Sequence, residues 1–202
     1  MEEIIRYIKQ NYAPETIIVY GSYANGTNNK NSDFDALVIS ETHEAFHDTS
    51  FVSNIQLDVF VFPSADIQQV EDYSQFIQIF DGKIILDSNG VGRRLQQAVL
   101  EYISKWPSKT ADEIKDEIEW CRKMLMRTKR TDAEGLFRRH WLLVDTLEIF
   151  CDAVHHPYFG PKKSLIWMKQ YQPEAYACYE KALRCFDETT TQQWIQYLEN
   201  IL

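Results

Sequence analysis

The chain has 202 residues, 45% of them hydrophobic and 25% charged, a composition that is typical of a globular protein and excludes a disordered or fibrous one. Its net charge of −9 repels nucleic-acid backbones, so we expect no nucleic-acid partner and favour a cationic substrate or divalent metal ions. No apolar run approaches the ~20 residues that span a bilayer, and no signal peptide is recognised, so we expect a cytoplasmic protein that does not bind membranes.

Short β-type runs and turns fill the first part of the chain. Apolar residues at helical spacing predict a helix at residues 2–10, and a segment rich in glycine and asparagine predicts a loop with at most one helical turn at 21–32. Ser64 is expected to cap a short helix that ends near Val70. Runs of β-branched and aromatic residues predict four strands, at residues 16–20, 34–39, 55–62 and 83–86, with the last at a sheet edge.

The pattern becomes almost wholly helical after residue 90. Thr110 and Thr131 each begin a capping-box sequence, with a glutamate three residues later, and each predicts the start of a long helix. The predicted helices cover residues 91–105, 110–129, 131–154, 164–169, 173–186 and 190–201. We therefore predict an α+β protein, with a small mixed β-sheet domain flanked by helices at residues 1–90 and an all-α helical bundle at 91–202.

Three aspartates carry the strongest chemical signal. Asp33 and Asp35 point to the same side of a predicted strand, because side chains alternate along a strand. Two carboxylates ~5 Å apart repel by about 3 kcal/mol at an effective dielectric of about 20, so a cation is expected between them, and oxygen ligands favour Mg²⁺ or Mn²⁺. Asp58 interrupts an apolar strand, where a bare carboxylate is costly. If that strand lies beside the strand of Asp35, three carboxylates form one cluster that holds metal ions for phosphoryl chemistry.

The segment before these acids has the features of a phosphate-binding turn. Gly21 lets the backbone approach a ligand closely, and Ser22 offers a hydroxyl and an amide to phosphate oxygens. The spacing of Gly21 and Gly26 also matches a P-loop, but Thr27 stands where that motif requires lysine, which excludes a P-loop. For the acid pair taken alone, a structural alternative is a loop cap and an ion pair with Lys30.

Together these motifs resemble the DNA polymerase beta-like nucleotidyltransferase superfamily over roughly residues 15–62. The residues that carry the resemblance are Gly21-Ser22, Gly26, Asp33-Phe34-Asp35 and Asp58. Within the superfamily, the layout is most similar to antibiotic nucleotidyltransferases, which implies a catalytic domain at 1–90 and a helical substrate-binding domain at 91–202. Asn25 departs from the pattern, because an arginine is common at this position.

The resemblance implies roles for these residues and for two co-reactants. Asp33 and Asp35 would bind Mg²⁺ or Mn²⁺, Gly21 and Ser22 would contact the phosphates of ATP, and Asp58 would be a third metal ligand or the general base. In the implied reaction an acceptor hydroxyl attacks the α-phosphorus of ATP and pyrophosphate leaves. The implied acceptor is a small hydroxylated molecule such as an aminoglycoside or lincosamide, and the acidic composition favours a cationic one.

The second half offers candidate substrate contacts. Lys163 follows Lys162 at a predicted helix start and is a candidate pyrophosphate contact, with a solvated helix start as the structural alternative. Asp145, Glu148 and Asp152 share one helix face, which predicts either a site for a cationic acceptor or the wet side of a helix.

Two other classes of function stay open from the sequence. One is a protein adenylyltransferase, or an antitoxin-like nucleotidyltransferase, that acts on a polypeptide partner. The other is a binding module that takes up nucleotide without turnover. A homodimer is compatible with the resemblance, because related antibiotic-modifying enzymes often pair.

Overall fold

The computed structural model describes residues 1–201 and forms two compact units, Met1–Lys105 and a second unit that begins at Trp106. The first unit is built on a six-stranded mixed sheet and the second is wholly helical, so the predicted α+β class is confirmed. Within the described residues no helix combines the length and the apolar character that crossing a membrane requires.

The sheet of the first unit contains one parallel pair of strands. Its strands are β1 (Pro14–Val19), β2 (Phe34–Ser40), β3 (Phe46–Asp48), β4 (Phe51–Val52), β5 (Ile55–Pro63) and β6 (Lys83–Asp87). Their order is β3-β5-β2-β1-β6, with β4 also paired to β5. Strands β2 and β5 are parallel, and all other pairs are antiparallel. Strand β6 lies at an edge, as predicted, while β3 and β4 are strands that the sequence pattern did not indicate.

Helices cover both faces of this sheet. They are α1 (Glu2–Tyr12), α2 (Gly21–Asn25), α3 (Ser64–Gln68), a 3-10 helix (Tyr73–Ile79) and α4 (Val91–Ser104). Helix α1 buries Ile4 and Ile8 against one face, in a cluster with Val38 of β2. Leu37, the neighbour of Val38, points to the other face and packs in a cluster with Leu95 of α4. Alternation along β2 therefore places apolar residues in both layers.

Helix α4 belongs to the first unit, because Val91, Leu95 and Val99 are buried in the same cluster as the sheet. The compact units therefore divide after Lys105, whereas the sequence pattern places the division after residue 90. The functional division into a catalytic domain at 1–90 and a substrate-binding domain at 91–202 stays a prediction.

The core of the second unit contains two large aromatic side chains whose polar atoms are hydrogen-bonded. Its helices are α5 (Ala111–Arg127), α6 (Ala133–Ala153), α7 (Gly160–Tyr171), α8 (Pro173–Cys185) and α9 (Glu188–Glu199). Trp194 is fully buried, and its indole Nε1 donates to Thr146 Oγ1 at 2.9 Å. The buried Tyr179 hydroxyl donates to the carbonyl oxygen of Leu143 at 2.6 Å. Because the Trp194 and Tyr179 donors both have an acceptor, the helices bury these two rings without the cost of an unmade hydrogen bond.

The helix starts confirm one predicted cap and correct two. Thr110 accepts from the backbone N–H of Glu113 in a complete capping box, as predicted. Thr131 is not the cap of α6, because Asp132 occupies that position and accepts from the Gly135 N–H at 3.0 Å. Ser64 is also not a cap, because α3 begins at this residue and no side chain caps it.

The corrected cap of α6 gives a stability prediction. Asp132→Ala should destabilise the protein by about 1 kcal/mol, because it removes the acceptor of the Gly135 N–H. Asp132→Asn should lose less, because the amide oxygen still accepts, and Thr131→Ala should stay within about 0.5 kcal/mol of the parent. Urea unfolding followed by circular dichroism measures all three. Equal losses for Thr131→Ala and Asp132→Ala would contradict the cap assignment.

Candidate active site

The parallel pairing of β2 with β5 places two of the predicted acids side by side. Asp35 is opposite Asp58 in the strand register, and Asp33 immediately precedes β2. One carboxylate oxygen from each residue lies within 4.8 Å of the others. Asp33 is exposed, while Asp35 and Asp58 are half-buried, so the cluster is open to solvent on the side of Asp33. The structure thus brings together all three acids that the sequence pattern singled out.

Gly21 lies against this cluster, at a position where only a residue without a side chain fits. Its φ of +65° is favourable for glycine, and a Cβ atom at this position would lie 2.2 Å from Asp35 Oδ2. The backbone is also tied to β2, since the Tyr20 N–H donates to the Asp35 carbonyl oxygen at 3.1 Å. The glycine therefore makes room for the Asp35 carboxylate, a function that the sequence pattern did not indicate.

The predicted phosphate-binding turn is a short helix. Gly21 begins α2, and Ser22 lies in its first turn with 4% of its surface exposed. Gly26 ends this helix in the left-handed conformation, and its N–H donates to the Ser22 carbonyl oxygen. Asn25 Oδ1 accepts from the Thr27 hydroxyl at 2.6 Å and from the Thr27 N–H at 3.1 Å. Asn25, which replaces the arginine of the resembled pattern, thus closes the end of the helix.

Two residues that the sequence analysis did not single out lie beside the acids. Burial raises the pKa of the Tyr20 hydroxyl above its ordinary value, and the negative charges of Asp58 and Asp35 raise this pKa further. Tyr20 therefore stays neutral near the cluster. His47 Nε2 lies 2.6 Å from Asp58 Oδ1. Tyr20 was detectable from alternation along the predicted strand, whereas the three-residue strand β3 gives too short a pattern to place His47.

The donor set fits a hard divalent cation. Carboxylate oxygens suit Mg²⁺ and Mn²⁺, and oxygens on opposite sides of Mg²⁺ are about 4.2 Å apart. One oxygen from each of Asp33, Asp35 and Asp58 lies within 4.8 Å of the others, so the three carboxylates could hold one such ion. A cation in this position would also remove the mutual repulsion of the three carboxylates.

The helical unit contains a separate acidic cavity of about 400 Å³. Its lining residues are Lys109, Glu117, Trp120, Asp145, Glu148 and Ile149. Burial raises the pKa of the Asp145 carboxyl above its ordinary value. Asp152 Oδ2 lies 2.8 Å from Lys109 Nζ, so this member of the predicted acidic row forms an ion pair. Of the three acids predicted to share a helix face, Asp145 and Glu148 therefore line the cavity, and Asp152 forms a salt bridge.

Lys163, the candidate pyrophosphate contact, lies in the first turn of α7 and is half-buried, while Lys162 is exposed. Helix α7 begins at Gly160, earlier than predicted, because Pro161 fits the first turn of a helix. The pyrophosphate role of Lys163 stays a prediction.

Comparisons with known proteins give one informative match. A family model described as a nucleotidyltransferase domain matches residues 1–121. No curated protein sequence matches the chain. The chain is similar to the crystal structure of a nucleotidyltransferase-like protein from Exiguobacterium sibiricum, with 16% identity, a TM-score of 0.42, and coverage of 100% of this chain and 74% of the other. It is also similar to a toxin-antitoxin structure with AMP-PNP, with 16% identity, a TM-score of 0.35, and coverage of 62% and 97%. At these TM-scores neither likeness supports a statement about this chain.

The position of Gly21 gives a prediction with a matched control. Gly21→Ala should weaken Mn²⁺ binding roughly ten-fold, because the new methyl group displaces the Asp35 carboxylate. Gly26→Ala should leave the Mn²⁺ affinity unchanged, since φ is also positive there, at +76°, and a Cβ would meet nothing within 4 Å. Electron paramagnetic resonance titration of Mn²⁺ measures both affinities. Equal weakening in the two variants would show that backbone strain, and not contact with Asp35, causes the loss.

Proposed function

The chain belongs to the nucleotidyltransferase domain family, a family of transferases, and from that membership we propose that it transfers AMP from ATP to a hydroxyl of a small-molecule acceptor and releases pyrophosphate. The observation that carries the proposal is the convergence of Asp33, Asp35 and Asp58 within 4.8 Å of one another. Three carboxylates this close repel one another, and divalent cations bound together with a nucleotide would offset that repulsion.

In the proposed reaction the acids hold the cations and the turn before them holds the phosphates. Asp33 and Asp35 bind Mg²⁺ or Mn²⁺, and Asp58 is either a third ligand or the base that accepts the acceptor's proton. Bound there, a divalent cation offsets charge on the phosphate oxygens and lowers the pKa of the attacking hydroxyl. The first N–H groups of α2, from Gly21 and Ser22, have no acceptor within the helix and are available to β- and γ-phosphate oxygens.

The proposed transfer forms one bond to phosphorus, breaks another, and needs a base for the hydroxyl proton. The acceptor oxygen forms a bond to the α-phosphorus while the bond from this phosphorus to pyrophosphate breaks, and the hydroxyl proton passes to a base. Asp58 is a candidate for that base, because its carboxylate lies in the cluster and is 34% exposed. Tyr20 is not a candidate for the base, because burial and the charges of Asp58 and Asp35 raise the pKa of its hydroxyl.

For the acceptor we propose a cationic hydroxylated molecule of the aminoglycoside or lincosamide type. The support is the acidic cavity of the helical unit, whose lining has three carboxylates, one ammonium group and the aromatic surface of Trp120. Carboxylates and an aromatic face both attract cations. Lys163 is the proposed contact of the departing pyrophosphate.

A protein acceptor is the second candidate, and an exposed apolar face of α6 favours it. Phe137, Trp141 and Val144 are 66%, 47% and 65% exposed and follow helical spacing along this helix. Contiguous exposed apolar side chains are typical of surfaces that bind other proteins. A polypeptide docked on α6 would then be adenylylated in place of a small molecule.

The first prediction of this proposal concerns nucleotide binding. Asp33→Asn/Asp35→Asn should bind ATP with Mg²⁺ at least about ten-fold more weakly than the parent, because the amides carry no charge to hold the cations. Asp66→Asn, at an exposed aspartate of α3, is the control and should bind normally. Isothermal titration calorimetry measures the affinities. An unchanged affinity in the double variant would refute the metal-dependent site.

The second prediction separates the two acceptor classes. With α-labelled ATP and Mg²⁺, label should appear on a compound from a panel of aminoglycosides and lincosamides, together with one pyrophosphate per transfer. Label on a polypeptide after incubation with cell lysate would instead select the protein acceptor. Nucleotide binding with no label transfer to either class would contradict the transfer reaction.

A further inference from the structure

His47 contacts Asp58 from the neighbouring strand. Strand β3 pairs with β5 so that His47 is opposite Phe60, and the imidazole stacks on the Phe60 ring at 4.1 Å with an interplanar angle of 2°. This position directs Nε2 to Asp58 Oδ1 at 2.6 Å. The imidazole is thus held by a neighbouring ring and hydrogen-bonded to the candidate site.

The short strand β3 is itself anchored to α1. Tyr12 of α1 donates its hydroxyl to Asp48, the residue after His47. The Tyr12 ring also contacts Phe46, the residue before His47, edge to face at 5.3 Å. Because both neighbours are held by α1, the backbone at His47 is fixed despite its place at the sheet edge.

The direction of the hydrogen bond follows from the chemistry of the two groups. An ionised carboxylate only accepts, so Nε2 carries the proton and donates to Asp58. A charge-assisted bond of this length is strong and restricts rotation of the acceptor. Asp58 is 34% exposed, so without this donor its carboxylate would be free to turn to water.

His47 is placed to act through Asp58 and not as a ligand itself. In the portion of the chain that the structure describes, the group that one ion can bridge at this site consists of Asp33, Asp35 and Asp58. The imidazole contacts the cluster through the Asp58 Oδ1 atom.

We propose that His47 is a positioning residue that orients the Asp58 carboxylate toward Asp33 and Asp35. This inference rests on the proposed function, because it assigns a role within the same metal site. Partners that orient a metal-binding carboxylate contribute strongly to metal affinity, and their loss typically costs 10–100-fold in affinity or activity. The orientation of Asp58 serves either of its two candidate roles, since both require the carboxylate to face the cluster.

The test compares two substitutions of His47 in the full-length chain. His47→Phe preserves a ring on Phe60 but removes the donor, and it should weaken Mn²⁺ binding, measured by paramagnetic resonance without nucleotide, roughly ten-fold. His47→Gln restores an N–H donor near the position of Nε2 and should recover most of that affinity. The kcat of AMP transfer should follow the same order. Thermal unfolding of each variant checks that the fold is intact.

A matched control uses a second histidine in the same region. His43 contacts the hydroxyls of Ser40 and Thr42 and the rings of Tyr12 and Phe46, and it is not part of the acidic cluster. His43→Phe keeps a ring against Tyr12 and Phe46 and should therefore retain the parent Mn²⁺ affinity. Parent affinity in His47→Phe, or equal losses in His47→Phe and His47→Gln, would overturn the positioning role. If Asp33→Asn/Asp35→Asn also retained the parent affinity for Mn²⁺, the proposed function itself would fail, so the two failures are distinguishable.

Discussion

Repulsion between like charges at the paired strands β2 and β5 is the constraint on which the site depends. The parallel register fixes Asp35 beside Asp58, and Asp33 joins them within 4.8 Å. At this separation each pair of unit charges repels by about 3 kcal/mol at an effective dielectric of about 20. The sheet tolerates this cost because its apolar faces are buried beneath α1 on one side and α4 on the other. Stability from the core thus offsets the repulsion among the three carboxylates, which a bound cation would remove.

The three aspartates of the site could be predicted from the sequence, because strand geometry and the cost of burying charge both leave a mark on it. Alternation along a strand placed Asp33 and Asp35 on one side, and the cost of a carboxylate in an apolar strand identified Asp58. Gly21 was also singled out, but the reason was incomplete. Because Gly21 has no side chain, the Asp35 carboxylate can occupy the space beside it. This contact joins two segments that are apart in the sequence, so the local sequence pattern does not predict it.

Other features depend on choices that local sequence leaves open. Thr131 and Asp132 are adjacent and both are good helix caps, and only the path of the chain selects Asp132. Gly160-Pro161 is typical of a loop and equally of a helix start, so α7 began earlier than predicted. Strand β3 is too short for periodicity, and its place beside β5 comes from tertiary contacts. His47 was missed for that reason.

The position of bound metal tests the central claim most directly. A crystal of the full chain with Mn²⁺ and a non-hydrolysable ATP analogue would locate the ion by its anomalous scattering. Our account predicts a peak at coordination distance from Asp33 and Asp35, with the Asp58 carboxylate facing it and the analogue's phosphates beside Gly21. A peak elsewhere, with the three carboxylates turned away from one another and no nucleotide at α2, would contradict it.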